Sequence, residues 1–376
     1  MFSKPFNLVL VYTLCIVNLL ILFLPFILIA SPIFIYSKEN FTQGIIDMLY
    51  ISFFIVSSIM IIYLILDTLF GFTIWNLTKG CKNITKYYKK HPFMKEITLN
   101  FNFLQNKFST KNVKLLISKS SAVNAYAIGS MRKKIVVITL GLIANIRKNS
   151  ESEEEFQSAI KSILAHEISH LVNKDFMPAL LLFANEKATN FISRLINIFF
   201  NILIRVFNII PIIGSLLTQV VIIIHRISSF LLNFFYRYIL VKVYNLLKLH
   251  ISRQTEYRCD YQAAEACGGK EMANALSFLG DNGYFTIFSS HPRTLKRIKH
   301  VVDVKKSEKK IKISIINRIS NASSILILVV MLDVSWSYLS KLEYLNFKNN
   351  QNIQQIFYKQ KYYLNIINNN LRNILN

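Results

Sequence analysis

Cysteine is scarce in this chain: four in 376 residues, at Cys15, Cys81, Cys259 and Cys267. No two of them form a C-x-x-C pair, and Cys15 falls inside a long apolar run. This argues against a disulfide framework and against a cysteine-based zinc site. Acidic side chains are also few, 20 against 44 Lys and Arg, for a formal net charge of +24. Such a balance invites a nucleic-acid reading. The bases are scattered, however, with no stripe interleaved with aromatics and no recognised module. No nucleic-acid partner is expected. Anionic lipid headgroups account for the lysines beside apolar segments more simply. No charge at all occurs from Pro5 to Ser37. That run is longer than a signal-peptide core and no A-x-A site follows it, so it reads as a retained membrane helix. No internal repeat is visible.

What is abundant is apolar sequence, 53% of the residues, gathered in long stretches. Met48 to Leu66 is uncharged and long enough to span hydrocarbon. Val206 to His225 is another such run, continued after Arg226 by Ile227 to Tyr236. Residues 1–78 therefore read as a membrane hairpin and residues 177–250 as a second one, about four transmembrane helices in all. The expected partner is the lipid bilayer. Lys79, Lys82, Lys86, Lys89 and Lys90 follow the first hairpin. By the positive-inside rule that cluster stays in the cytoplasm, and the segment after it is cytosolic.

The chemistry sits in His166-Glu167-Ile168-Ser169-His170, an H-E-x-x-H pattern. On a helix, positions four apart share a face, so the two imidazoles can grip one metal ion. Glu167 is placed to reach a water on that ion. A solvated helix face is the plain alternative, but the context opposes it. Ser152-Glu153-Glu154-Glu155 predicts a helix start with its acids at the positive end. From there Ala159, Ile163, His166 and His170 lie on one stripe, so the histidines extend an apolar face. A catalytic zinc ion takes three protein ligands and keeps one position open. His166 and His170 supply two, with one Zn2+ expected per chain.

For the third ligand, Asp175, Glu186, His225, His250, Glu256 and Glu265 compete. Asp175 lies about 140° round the helix from His170 and is too near in sequence to fold back easily. His225 and His250 flank an apolar region. Glu265 falls on the far side of its helix from Glu256. Glu256 has an added argument: Asp260, four residues on, shares its face and can orient a ligand histidine through the free ring N–H. Glu256 is the expected third ligand, Asp260 the orienting carboxylate and Glu167 the general base.

The remaining segments are read more coarsely. Residues 79–176 form the first part of the catalytic domain, with β-rich stretches at Val113–Ser118 and Lys133–Thr139. Residues 251–300 form its second part, with a site helix at 252–268. Residues 301–376 are an extension of open role. Its only strong apolar stretch, Ser324 to Leu332, is too short to span a membrane. Residues 341–376 alternate apolar and polar side chains and include Lys348, Lys359, Lys361 and Arg372, which suits a helix lying in the membrane interface. Every candidate site residue precedes the extension, so it is expected to be dispensable for catalysis.

Several motifs together resemble a known family, the HtpX-like membrane zinc metalloproteases, relatives of the CAAX prenyl proteases. They are Asn124-Ala125-Tyr126-Ala127-Ile128-Gly129, the strand and turn from Ile135 to Leu142, the His166–His170 helix with Asp175 after it, Ser252 to Asp260, and His291-Pro292-Arg293-Thr294-Leu295-Lys296-Arg297-Ile298. Cys259 stands where that family usually has Ala. The resemblance covers residues 1 to about 300. It implies a mainly α fold: an α+β zincin core of the gluzincin type with a small β-sheet, embedded in a membrane. It implies an endopeptidase of misfolded membrane proteins in quality control, in a bacterial cytoplasmic (inner) membrane. It also places the closing His291 near the metal, where it could steady the oxyanion of the transition state. Membrane-protein or unfolded-polypeptide substrates are expected to add to Ile135–Thr139 as an edge strand. A prenyl-peptide processing protease of the CAAX type is the alternative enzyme, although it encloses a chamber with more membrane helices. An inactive membrane adaptor would lack a ligand or the base, and none is missing.

Overall fold

The computed structural model describes residues 5–6, 8–18, 41–87, 91–130, 132–211, 213–231, 234, 238, 241–280 and 293–340. In chain order, α1 (Leu8–Asn18), α2 (Phe41–Phe70) and α3 (Phe72–Leu77) precede strand β1 (Lys82–Asn83) and α4 (Phe93–Lys107). Strands β2 (Val113–Ser118), β3 (Ala125–Gly129) and β4 (Lys134–Thr139) follow, then α5 (Leu140–Asn149), α6 (Glu153–Val172) and α7 (Met177–Asn208). The chain continues with α8 (Gly214–Leu231), α9 (Val241–Cys267), α10 (Gly269–Phe278), α11 (Thr294–Val301) and α12 (Ile315–Leu339).

The apolar runs form helices because lipid leaves a backbone no other partner for its N–H and C=O groups. Among the described residues, three helices are long and apolar enough to cross a membrane: Leu49–Phe70, Met177–Asn208 and Ile315–Leu339. The first two fall within the expected hairpins. The third corrects the sequence reading, which saw only Ser324–Leu332. Asn317, Ser320 and Ser324 break up the apolar run, but all three are buried, while Ile315, Ile319, Leu326 and Val330 on the other face are exposed. The serines are satisfied inside the helix, with Ser320 Oγ donating to Ile316 O at 2.8 Å and Ser324 Oγ to Asn321 O at 2.7 Å. α12 lies along α2, where the Tyr50 and Tyr338 rings stack at 3.9 Å and Tyr338 Oη donates to Asp47 Oδ1 at 2.7 Å. The extension up to residue 339 is thus packed into the body of the protein. The interfacial helix read over 341–376 lies outside the described residues.

The sheet has the order β1-β2-β4-β3. β2 and β4 pair in parallel, and the outer pairs β1–β2 and β3–β4 are antiparallel. β4 is therefore interior, and the expected edge strand at Ile135–Thr139 is a misassignment: among the described residues the edges are β1 and β3, and β3 is the one beside β4. Physics explains the exchange. Ile135 to Thr139 are buried throughout, and a strand buried on both faces reads as an unbroken apolar run. Thr139 then closes the strand and caps α5, its Oγ1 accepting from Leu142 N at 3.1 Å.

α6 is the centre of the folded body. Ser152 caps it, accepting from Glu155 N at 3.1 Å, with Glu153, Glu154 and Glu155 in the first turn. Phe156, Ile160, Leu164 and Ile168 join one core with Val136 and Ile138 of β4 and Ala263, Ala264 and Ala266 of α9. The small alanines let α9 approach α6 closely. A second core joins Val11 and Cys15 of α1, Val56 and Met60 of α2, Leu181 and Ala188 of α7, and Leu328 of α12. The two site helices adjoin apolar segments: four residues separate the end of α6 at Val172 from the start of α7 at Met177, and α9 begins at Val241, well before the expected 252.

Candidate metal centre

His166 and His170 leave α6 on one face, and Glu256 of α9 meets them. His166 Nε2 is 3.2 Å from His170 Nε2. Glu256 Oε2 is 3.4 Å from His166 Nε2, and Glu256 Oε1 is 3.4 Å from His170 Nε2. These separations can be tested against a small tetrahedral cation. Bonds of about 2.0–2.1 Å in tetrahedral geometry give ligand-to-ligand edges of about 3.3–3.4 Å. The two ring nitrogens lie close to such an edge, and each has its own Glu256 oxygen at that distance, so the carboxylate faces both rings. Two imidazole lone pairs facing at such a distance repel unless a cation or a proton lies between them, so the donor set itself calls for positive charge. His166, His170 and Glu256 form one group that could hold an ion.

The surroundings supply the electrostatics. His166 Nδ1 lies 2.9 Å from Asp260 Oδ1. Asp260 is fully buried and takes both prongs of Arg297, Nε to Oδ2 and Nη2 to Oδ1, each at 2.7 Å. Burial works against the Asp260 anion, but Arg297 and His166 more than offset it and hold its carboxyl below the ordinary range. Burial likewise disfavours charge on His166, yet the Asp260 and Glu256 carboxylates outweigh it and push the ring up to about 10. His170 is raised well above the ordinary histidine value: burial opposes this, and Cys259, Asp175 and Glu256 outweigh burial. A divalent ion bound here would take the place of those protons.

Asp175 did not stay apart from the helix. Lys174 adopts a left-handed conformation, φ 54°, and turns the chain back. Asp175 Oδ2 then sits 3.0 Å from His170 Nδ1, where it can orient the ring, and it pairs with Arg258. Cys259 Sγ lies 3.4 Å from the same nitrogen. His170, Asp175 and Cys259 form a second close group, but the Arg258 guanidinium already occupies its carboxylate. The His166–His170–Glu256 group has both its histidines on one cavity, whereas Cys259 of the second group does not line it.

The other candidates lie elsewhere. Glu186 is exposed on α7, and His225 pairs with Asn197 Oδ1 at 3.1 Å on α8. Glu265 is half-buried on α9, where burial raises its carboxyl. The side chain of His250, and His291 altogether, lie outside the described residues. Arg297 and Arg258 were not singled out from the sequence, although Arg297 belongs to the same motif as His291.

Glu167 is buried and lines a cavity of about 680 Å³ with His166 and His170. Asn124 to Gly129 form one wall, Leu77 lies on another, and Phe176, Ala179, Leu180 and Phe183 of the α7 region face them. Gly129 is required by this packing, since a Cβ there would fall 2.2 Å from the Phe176 ring. The open side of β3 thus runs beside the carboxylate and the histidines.

Helices long and apolar enough to cross a membrane, and a His–His–Glu cluster whose two histidines share a cavity with a sheet edge, define a metalloprotease of membranes. Residues 94–305 match peptidase family M48, more than half of the chain, and the protein belongs to that family. Among its relatives is Protease HtpX of Buchnera aphidicola subsp. Schizaphis graminum, 22% identical over 275 residues, covering 63% of this chain and 85% of the relative. Protease HtpX of Nitrosococcus oceani is 27% identical over 207 residues, covering 48% of this chain and 62% of the relative. The crystal structure of S. mikatae Ste24p overlaps 73% of this chain and 66% of its own, with 19% identity and a TM-score of 0.39. The family match ends at residue 305, before α12 begins.

Proposed function

We propose that the protein is a zinc-dependent endopeptidase that cleaves unfolded or membrane-associated polypeptides on the cytosolic side of a bacterial cytoplasmic membrane, in protein quality control. The observation that carries this reading is the shared cavity: Glu167, His166 and His170 beside the side of β3 that pairs with no strand among the described residues. His166, His170 and Glu256 would hold zinc, with Asp260 and Asp175 fixing the two rings through their Nδ1 atoms. Zinc bound there supplies a Lewis acid and lowers the pKa of a water. Glu167 takes the proton of the attacking water and passes it to the leaving amine. An extended substrate adds to β3 by main-chain hydrogen bonds, a mode tolerant of sequence, and places one apolar side chain against Leu77, Leu180 and Phe183. The Lys79 and Lys82 region, exposed after α3, favours the cytosolic side.

Metal analysis of purified protein, paired with casein cleavage with and without chelator, tests the reading. One zinc per chain and chelator-sensitive cleavage are expected. Cleavage that survives complete metal removal overturns it.

A further inference from the structure

We infer that α12, which lies outside the family match, is a positioning element of the peptidase site: it locks α6 to α9 through a buried amide relay, Asn317 to Asn173 to Gln262. The inference rests on the metal-centre reading above and adds a part of the chain to it.

The relay is short and fully connected. Asn317 Nδ2 of α12 donates to Asn173 Oδ1 at 2.9 Å. Asn173, the residue that ends α6, donates from Nδ2 to Gln262 Oε1 of α9 at 2.8 Å and to Ser169 O at 2.9 Å. Ser169 Oγ donates to the same Gln262 Oε1 at 2.6 Å. Asn321 Nδ2, one turn further along α12, reaches Asn173 O at 3.4 Å. Asn173 and Ser169 are wholly buried, and Asn317 is 3% exposed. A buried amide left without its partner is costly, so such a network holds its members in one arrangement.

Its location gives it a function. Ser169 neighbours His170, Asn173 lies three residues beyond it, and Gln262 is two residues past Asp260. The relay therefore fixes the spacing between the helix that carries the histidines and the helix that carries Glu256. That spacing sets the 3.2 Å separation of the ring nitrogens and the 3.4 Å approach of one Glu256 oxygen to each, which a slip of under an ångström would spoil. α12 is a firm anchor because it is tied elsewhere too. Tyr12 Oη of α1 donates to Ser324 O, and Tyr338 bonds Asp47 of α2. The relay so connects the first membrane helices to the metal centre.

The test uses the full-length zinc-loaded protein in detergent. Asn317→Leu keeps the branching and the number of side-chain heavy atoms and removes the donor. Ile319→Ala, on the exposed face of α12, is the control. Zinc release to a chelating indicator and the visible spectrum of the cobalt-substituted protein are measured with kcat and KM on casein. Asn317→Leu is expected to release zinc about tenfold faster, the low end for residues that support metal ligands. It should also shift the cobalt bands and lower kcat with little change in KM, while Ile319→Ala matches the parent. A folded Asn317→Leu with unchanged release and an unchanged cobalt spectrum overturns the inference. Should that variant not fold, Asn317→Ser is too short to reach Asn173 and is judged by the same two outcomes. A parent that binds one zinc but cleaves nothing overturns the proposed function and leaves the release test valid. A parent that takes up no divalent metal overturns both.

Discussion

Asp260 and Arg297 form a two-pronged ion pair beneath the histidines, with both nitrogen-to-oxygen distances at 2.7 Å. Asp260 in turn stands 2.9 Å from His166 Nδ1, and Arg297 Nη2 reaches to 3.4 Å from Glu256 Oε2. One guanidinium therefore balances two carboxylates that crowd a cation site. Its rigid fork matches a carboxylate in a way that a lysine ammonium does not.

Removal of that fork is expected to be severe. Arg297→Leu leaves the buried Asp260 carboxylate with His166 alone, a loss of about 3–5 kcal/mol. Arg297→Lys keeps the charge and should cost less. Thermal unfolding of the zinc-loaded proteins checks the order. A Leu variant as stable as the parent would show that the pair does not support the fold.

Glu167→Gln separates chemistry from metal binding. The amide is similar in size, so zinc content should stay at the parental level. Loss of a general base should lower kcat by about 10² to 10⁴. Metal analysis and casein cleavage on one preparation decide it, and substantial residual turnover would remove Glu167 from its role.

Two glutamates on α9 give a paired comparison. Glu256 lies within 3.4 Å of both histidines, whereas Glu265 lies more than two turns further along α9, its main-chain oxygen accepting from Ser307 N at 2.8 Å. Glu256→Ala should lose zinc, while Glu265→Ala keeps both zinc and cleavage. Metal loss in the Glu265 variant would reassign the third ligand.

Topology is checked at Cys81, which follows the helices α2 and α3 and is partly accessible. With Cys15, Cys259 and Cys267 buried, a thiol reagent reports mainly on this position. A membrane-impermeant maleimide should label it only after the membrane is opened. Labelling from the outside of intact cells would invert the orientation.

How much was legible follows from the range of each interaction. The His pair, the Ser152 cap and the Glu256–Asp260 pair are local, set by helical spacing within one turn, and sequence displays them. Asp175 was misjudged because its return depends on one left-handed residue, Lys174, which is not a glycine or an asparagine. α12 was cut short because Asn317, Ser320 and Ser324 look polar in one dimension, although they face inward among partners. The strand order was beyond reach in part, since pairing joins segments by tertiary contact. The unbroken apolar run of β4 was nevertheless a sign of an interior strand.

That strand order yields the most discriminating prediction. Thr139 N donates to Asn124 O at 3.1 Å, and Ser130 N donates to Lys133 O at 2.8 Å. With the register Tyr126↔Val137 and Ile128↔Ile135, antiparallel alternation turns the main-chain groups of the even-numbered residues toward β4. Those of Ala125, Ala127 and Gly129 then point to the open side, into the cavity that holds Glu167. Proline at an edge strand is tolerated where the lost N–H faces outward. Ala127→Pro should therefore fold and keep zinc, because no bond to β4 is lost. It removes one donor to an extended substrate and blocks its close approach, so kcat/KM on an unfolded polypeptide should fall by about tenfold, mostly through KM. A matching change at Val136, on the interior strand, should instead disrupt folding. If Ala127→Pro cleaves casein as the parent does, substrates do not bind by strand addition at β3.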